Sequence, residues 1–193
     1  MSFKDISTRL GTALLIALLA AAPAAAEEGV LRLPRQTPKV GYAPTEFSLP
    51  DTSGQTVNLS DFTGMVILLS FWSCYTDSCF SAVTVLQDFI KEFGTEKFVI
   101  PTVCSEVPDP LAADNYSGLL NRCSVGQVIL VDKDREVQEI YNLQKMPAAF
   151  LIGSDYRIHE VVKNTSRLRE PGFRKKIAEL VEKSGKNEQP SGP

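Results

Sequence analysis

Two cysteines five positions apart, with a threonine three positions before the second, lie in the stretch Phe71-Trp72-Ser73-Cys74-Tyr75-Thr76-Asp77-Ser78-Cys79-Phe80. Thiols at this spacing suit three kinds of chemistry. Cys74 and Cys79 can close a small redox disulfide if their Cα atoms come within about 7 Å. A strained bridge of that kind is oxidising and easily reduced. Thr76 can donate its hydroxyl to the Cys79 sulfur and favour the thiolate, which is the nucleophilic form. Either thiol can instead be a small buried apolar side chain. Asp77 reads as a helix cap rather than a catalytic acid.

Two further cysteines, Cys104 and Cys123, complete the set. Four cysteines allow three full pairings, and the sequence by itself leaves the choice open. Cys104 ends a strand-like run and Cys123 a helix-like one. A structural disulfide between them is the first expectation. It would close a loop of about 20 residues and stabilise by about 3 kcal/mol. A second redox pair feeding Cys79, or two independent thiols, are the alternatives. The single histidine, His159, follows Ile158 on an alternating run and reads as a surface residue. Neither a metal nor a cofactor is expected.

The elements that would position these groups follow from periodicity. Met65–Trp72 is apolar throughout except for Ser70. Such a run predicts a central strand buried on both faces. From Asp77 to Phe93 the period changes: Phe80, Val83, Leu86, Phe89, Ile90 and Phe93 recur at three and four, as one helix face requires. Gly94 would end that helix. Cys79 is therefore expected in the first turn of a helix that directly follows a buried strand. There, unpaired backbone N–H groups and the macrodipole favour an anion.

Upstream, Phe47–Gly64 predicts a hairpin, with its turn at Asp51–Gly54 and a returning strand over Thr56–Leu59. Downstream, Lys97–Cys104 and Gln127–Asp132 predict strands, with a helix from about Pro110 to Arg122 between them. Glu136–Leu143 is a short helix or an extended piece. Pro147–Gly153 and Tyr156–Lys163 predict a hairpin turning at Ser154-Asp155. Pro171 opens a last helix, with Phe173, Ile177, Leu180 and Val181 on one face. From Ser184 the chain turns polar, which predicts a disordered tail. Strands alternating with helices indicate an α/β layered domain.

The chain has 193 residues, 44% apolar and 22% charged, with a formal net charge of −3. That balance excludes a nucleic-acid surface. The N-terminus differs: Lys4 and Arg9, an apolar run from Gly11 to Ala22, then Ala24-Ala25-Ala26. A basic start, a short apolar core and an A-x-A site describe a secretory signal peptide cut after Ala26. No cysteine stands at the cut, so no lipid-attached product is expected, and no stable membrane span remains after cleavage. The expected organisation is a signal peptide over 1–26, a proline-bearing linker over 27–42, a domain over 43–186 and a tail over 187–193. The compartment would be the periplasm or another oxidising space.

Two long segments carry a family resemblance: "APTEFSLPDTSGQTVNLSDFTGMVILLSFW" (Ala43–Trp72) and "VILVDKDREVQEIYNLQKMPAAFLI" (Val128–Ile152). Their order resembles the thioredoxin fold, and within it the exported TlpA/ResA/CcmG-like thiol-disulfide oxidoreductases. The resemblance covers nearly all of the domain. It implies a central mixed β-sheet flanked by helices, an N-terminal hairpin and a helical insert. It also implies that Met146-Pro147 is the family's cis proline loop, shaping a substrate groove lined by Trp72. Its expected partners are protein thiols or disulfides, including a membrane redox partner or a cytochrome-assembly client. The family's motif is F-W-x-x-W-C-x-x-C. Here Thr76 stands at the nucleophilic position and Tyr75 at the tryptophan, while Cys79 keeps the resolving position. Ser70 stands where thioredoxin carries a buried proton-transferring aspartate. The expected function is thiol-disulfide exchange through Cys74 and Cys79. The alternatives are a non-catalytic binding or assembly factor, and a thiol peroxidase. The last rests on Thr76 and Cys79, which resemble the Thr-x-x-Cys of peroxiredoxins; Trp72 replaces that motif's proline, and Lys145 is the nearest cation to Pro147.

Overall fold

The computed structural model describes residues 38–73, 77–105 and 128–186, with backbone only over 77–81. Strands β1 (Ser48–Pro50) and β2 (Thr56–Asn58) form the hairpin, and a 3-10 turn over Leu59–Phe62 follows. Then come β3 (Val66–Trp72), α1 (Asp77–Phe93), β4 (Phe98–Val99), β5 (Pro101–Cys104) and β6 (Val128–Val131). The order closes with α2 (Glu136–Ile140), β7 (Ala148–Ile152), β8 (Ile158–Val162), α3 (Thr165–Leu168) and α4 (Pro171–Lys186). The main sheet runs β6-β5-β3-β7-β8, with β4 also paired to β3. Strands β3, β5 and β6 are parallel; β7 and β8 run antiparallel. A bridge between Asp51 and Leu130 ties the hairpin to the β6 edge.

β3 holds the centre. All seven of its residues are buried. Alternation sends Val66, Leu68 and Trp72 to one face, where Leu86 and Phe89 of α1 and Phe173 and Ile177 of α4 meet them. Ile67, Leu69 and Phe71 go to the other face, against Leu59, Val103, Val137, Tyr141 and Phe150. Phe71, Tyr141 and Phe150 pack there as a mutual cluster, with ring centroids 5.0, 5.1 and 5.8 Å apart. Each fully buried aliphatic or aromatic side chain contributes roughly 1.5–3 kcal/mol relative to exposure. The two helices on the first face explain why the apolar stripes of α1 and α4 are needed at all.

Helix α1 stops as expected: Gly94 takes φ +70° and its N–H donates to the Ile90 carbonyl at 3.0 Å. The strand expected over Lys97–Cys104 is split into β4 and β5. Its register to β3 is unchanged across the break, Ile67 facing Val99 and Ser70 facing Thr102. The interruption falls at Ile100, the residue before Pro101, which has no N–H to give the ladder. Glu136–Ile140 is helical. Polar composition predicted a tail from Ser184, but α4 continues to Lys186. Ser184 is buried, and its hydroxyl donates to the Val181 carbonyl at 2.8 Å. The helix expected near Pro110–Arg122 lies outside the described residues.

The last residues of the expected linker are held to the domain. The Gly41 N–H donates to the Ile158 carbonyl at 2.7 Å, and the Ile158 N–H to the Tyr42 carbonyl at 2.9 Å. Arg157 Nη1 adds a bond to the Gly41 carbonyl. No helix among the described residues is long and apolar enough to cross a membrane.

One ion cluster fastens the C-terminal helices. Glu160 of β8 accepts from Arg167 Nε of α3 at 2.5 Å and from Lys176 Nζ of α4 at 2.7 Å. Burial alone would raise this carboxyl, but the Arg167 and Lys176 bonds outweigh it and hold it below its usual range. A depressed carboxylate contributes stability above its unfolded pKa and loses it as pH falls through the folded value. Glu160→Gln should therefore lower stability by about 1 kcal/mol at neutral pH. The difference from wild type should shrink as pH falls below the ordinary glutamate range in urea unfolding curves.

Candidate active site

The cysteine-bearing segment is bracketed by β3 and α1. β3 ends at Trp72, Ser73 is buried, and α1 begins at Asp77. Cys79 is the third residue of that 17-residue helix, in its first turn. Cys74 and Thr76 lie outside the described residues, as does Cys123, and the Cys79 side chain is not described. The placement of Cys79 on the helix is thus the part of the Cys74, Thr76 and Cys79 constellation that the backbone fixes.

Pro147 comes to the same place from the other side. The Met146–Pro147 peptide is cis. β7 starts at the next residue and pairs antiparallel with β3, Ala148 facing Phe71. Pro147 therefore sits beside the carboxyl end of β3. Met146 is half-buried and packs on the sheet face away from α1.

Trp72 is placed differently from expectation. It is 1% exposed and belongs to the core beneath α1 rather than lining an open groove. Its Nε1 has no hydrogen-bond partner among the described residues, and neither has Oγ1 of Thr102. Cys104 is buried at the end of β5, in register with Trp72. His159 lies on β8 with Nε2 3.1 Å from the Asp155 carboxylate, on the β7–β8 hairpin.

Three polar residues that the sequence did not single out mark the carboxyl ends of the three parallel strands. Ser73 follows β3, Ser105 follows β5 and Asp132 follows β6, and each is at most 4% exposed. Ligand crevices in sheets of this kind open at these strand ends. Asp132 binds the row together. Its N–H donates to the Cys104 carbonyl at 3.0 Å. Its carboxylate accepts the Gln138 N–H at 2.9 Å and the Val137 N–H at 3.3 Å, capping α2, and meets the Ser105 hydroxyl at 3.5 Å. The Ser105 N–H reaches the Trp72 carbonyl at 3.5 Å. The signal was present as the first polar residue after each apolar run, but that signal equally describes any strand end.

A profile of the AhpC/TSA family matches residues 40–161, more than half the chain. The chain belongs to the AhpC/TSA family. It is 27% identical over 119 residues to the thiol-disulfide oxidoreductase ResA of Bacillus subtilis, covering 62% of this chain and 64% of that protein. It is also 27% identical over 134 residues to ResA of Oceanobacillus iheyensis, covering 67% and 68%. The chain thus spans about two thirds of the length of these relatives. Among solved structures, the thioredoxin domain of a thiol-disulfide oxidoreductase from Bacteroides vulgatus matches with a TM-score of 0.61 at 20% identity, over 74% of this chain and 98% of that one. The fold is thioredoxin-like, as the sequence implied.

Burial pushes the Asp132 carboxyl above its ordinary value, against the opposing pull of the Gln138 and Val137 N–H groups. A raised carboxyl favours the protonated native state, so its contribution falls as pH rises through the raised value. Asp132→Ala should cost about 2 kcal/mol, since two helix N–H groups lose their acceptor. Asp132→Asn keeps an acceptor and should gain on wild type as pH rises from about 3 to 7, measured by chemical unfolding. Trp72→Ala should destabilise by about 3–5 kcal/mol in the same assay, the range for emptying a core aromatic site.

Proposed function

We propose that the protein is an exported thiol-disulfide exchange factor acting through Cys79, with Cys74 as its partner thiol. The observation that carries this reading is the position of Cys79 in the first turn of α1, the helix that follows the central strand β3. A helix N-terminus lowers the pKa of a cysteine through its free N–H groups and dipole. Thr76 adds a hydroxyl within the same turn of sequence. Membership of the AhpC/TSA family and the names of the ResA relatives support the same chemistry.

The exchange balances as follows. The Cys79 thiolate attacks a client disulfide, forming a mixed disulfide and releasing one client thiolate. The Cys74 thiolate then attacks the Cys79 sulfur, closing the Cys74–Cys79 bond and releasing the second client thiolate. Two electrons pass to the client, and the reverse sequence oxidises a client dithiol. Pro147 flanks the place where a client backbone would lie. Cys104 and Cys123 are proposed as a structural pair holding the segment between β5 and β6. Export rests on the basic start, the Gly11–Ala22 apolar run and the Ala24–Ala26 site.

A second reading, thiol peroxidase chemistry at Cys79, draws on the Thr76-x-x-Cys79 spacing and on the same family membership. There, Cys79 would be oxidised to a sulfenic acid by peroxide, which is reduced to water or alcohol, and Cys74 would condense with it.

Disulfide mapping by mass spectrometry, combined with turnover assays, tests both. The expected result is a reductant-labile Cys74–Cys79 bond and exchange with protein disulfides that Cys79→Ser lowers at least about 100-fold. Cys74→Ser should trap the mixed disulfide. Peroxide consumption dependent on Cys79, without protein disulfide exchange, would favour the second reading. Four thiols unreactive to both substrates would sink both and leave a binding role.

A further inference from the structure

Leu143 gives both of its main-chain groups to one residue. Its N–H donates to the Gln138 carbonyl at 3.1 Å, and its carbonyl accepts from the Gln138 side-chain amide, Nε2, at 3.4 Å. The backbone half of this clasp ends α2. The Asn142 N–H donates to the Glu139 carbonyl at 2.9 Å, and Asn142 takes φ +51°. With the Leu143 bond this is a Schellman stop, which favours glycine at the left-handed position and accepts asparagine. The side-chain half depends on Gln138 alone. The Gln138 N–H is held in turn at 2.9 Å by the carboxylate of Asp132, buried at the end of β6. A line of hydrogen bonds thus runs from the sheet through Asp132 and Gln138 to Leu143.

What the clasp holds is the approach to Pro147. Tyr141 is buried, with its hydroxyl on the Thr45 carbonyl at 2.7 Å, and β7 begins at Ala148. Between these anchors, residues 142–147 belong to no helix or strand. Asn142, Gln144 and Lys145 are exposed, while Leu143 and Met146 are half-buried against the core. On the outer side lies an open cleft of about 280 Å³, walled by Arg135, Gln138, Glu139, Asn142, Leu143 and Gln144. An open cleft supplies little packing, so hydrogen bonds must offset the entropy lost in fixing this segment. Gln138 supplies two of them.

We infer that Gln138 is a positioning residue for client binding: its side-chain amide, fastened to the Leu143 carbonyl, holds residues 142–146 in the course that presents Pro147 beside the end of β3. This deepens the exchange reading and rests on it. α2 packs on the sheet face opposite α1, so Gln138 acts on where the client lies and not on the sulfur. Without the side-chain bond the segment samples other courses. Client affinity then falls in proportion to the fraction that keeps the competent one. Transfer between sulfurs, once a client is seated, is unchanged.

The test uses the full chain as wild type, Gln138→Met, Gln138→Glu and Gln138→Lys. These four residue types have nearly equal helix propensity, so α2 is retained and only the donor changes. Exchange is followed with insulin as the protein disulfide and with dithiobis(nitrobenzoate) as a small one. Protection of the Leu143 N–H is followed by amide hydrogen exchange in the free protein. Gln138→Met and Gln138→Glu should raise KM for insulin about 3- to 5-fold, the factor expected for one ordinary hydrogen bond, and speed Leu143 exchange by a similar factor. Their kcat and their rate with the small disulfide should stay within about 1.5-fold of wild type. Gln138→Lys, whose ammonium can donate to the same carbonyl, should restore both readouts to within about twofold. Wild-type KM in the Met and Glu variants, or no rescue by Lys, overturns the positioning role. A raised KM with unchanged Leu143 exchange also overturns it, since Gln138 would then touch the client directly. A wild type that exchanges neither disulfide overturns the exchange reading, and the positioning role with it.

Discussion

Burial of β3 on both faces is the constraint from which the rest of the structure follows. A strand with helices on one side and an aromatic cluster on the other must be the middle of its sheet, and its backbone groups must all be paired within the ladder. β5 on one edge and β7 on the other supply those bonds. Because β5 runs parallel and β7 antiparallel to it, the carboxyl end of β3 meets the carboxyl end of β5 and the amino end of β7. That meeting brings Trp72, Cys104 and Pro147 to one margin of the sheet. The first turn of α1 lies on the same margin because the helix starts directly after the strand. The position of Cys79 in the chain fold follows from a packing requirement and not from any property of its thiol.

The margin is also where the polar groups collect. Ser73, Ser105 and Asp132 end the three parallel strands, and Ser70 and Thr102 lie one step inside on the α1 face. An interior this apolar tolerates such groups only where partners exist. Asp132 has its partners in the α2 N-terminus and the ends of β5. Ser70 and Thr102 lie beside a water-sized niche that opens at α3. The Trp72 indole N–H has no partner among the described residues. The resulting layout is an apolar sheet with a thin polar layer at the carboxyl ends of its parallel strands.

Much of this was legible in the residues. The run Met65–Trp72, apolar except for Ser70, predicts a central strand, since a strand covered on both sides can carry so many apolar residues. The three-and-four spacing from Asp77 to Phe93 gave α1 to the residue, because a 17-residue amphipathic stripe with a terminal glycine has few other readings. Pro101 and Ser184 show where local reading fell short. The ladder breaks at Ile100, just before that proline, and continues in register on both sides, where composition placed one strand. Ser184 is helical because α4 packs on the core, a contact that polar composition does not reveal. Trp72 shows the same limit at the site: its type suits a groove wall, and its parity on β3 sends it into the core instead.

By itself the sequence determined the order of the elements, the central strand, the helix that carries Cys79 and the departure from a Cys-x-x-Cys motif, because each is encoded in local periodicity or in residue identity. Only the tertiary structure decided which strands are neighbours, and with that which distant polar residues meet. Ser70 faces Thr102 across 32 positions because parallel pairing joins β3 to β5, and Ala82, Pro147 and Asn164 close one niche because three separate elements end beside it. Sequence spacing carries no information about that convergence, since the register between strands is fixed by the packing of their faces and not by the length of chain between them.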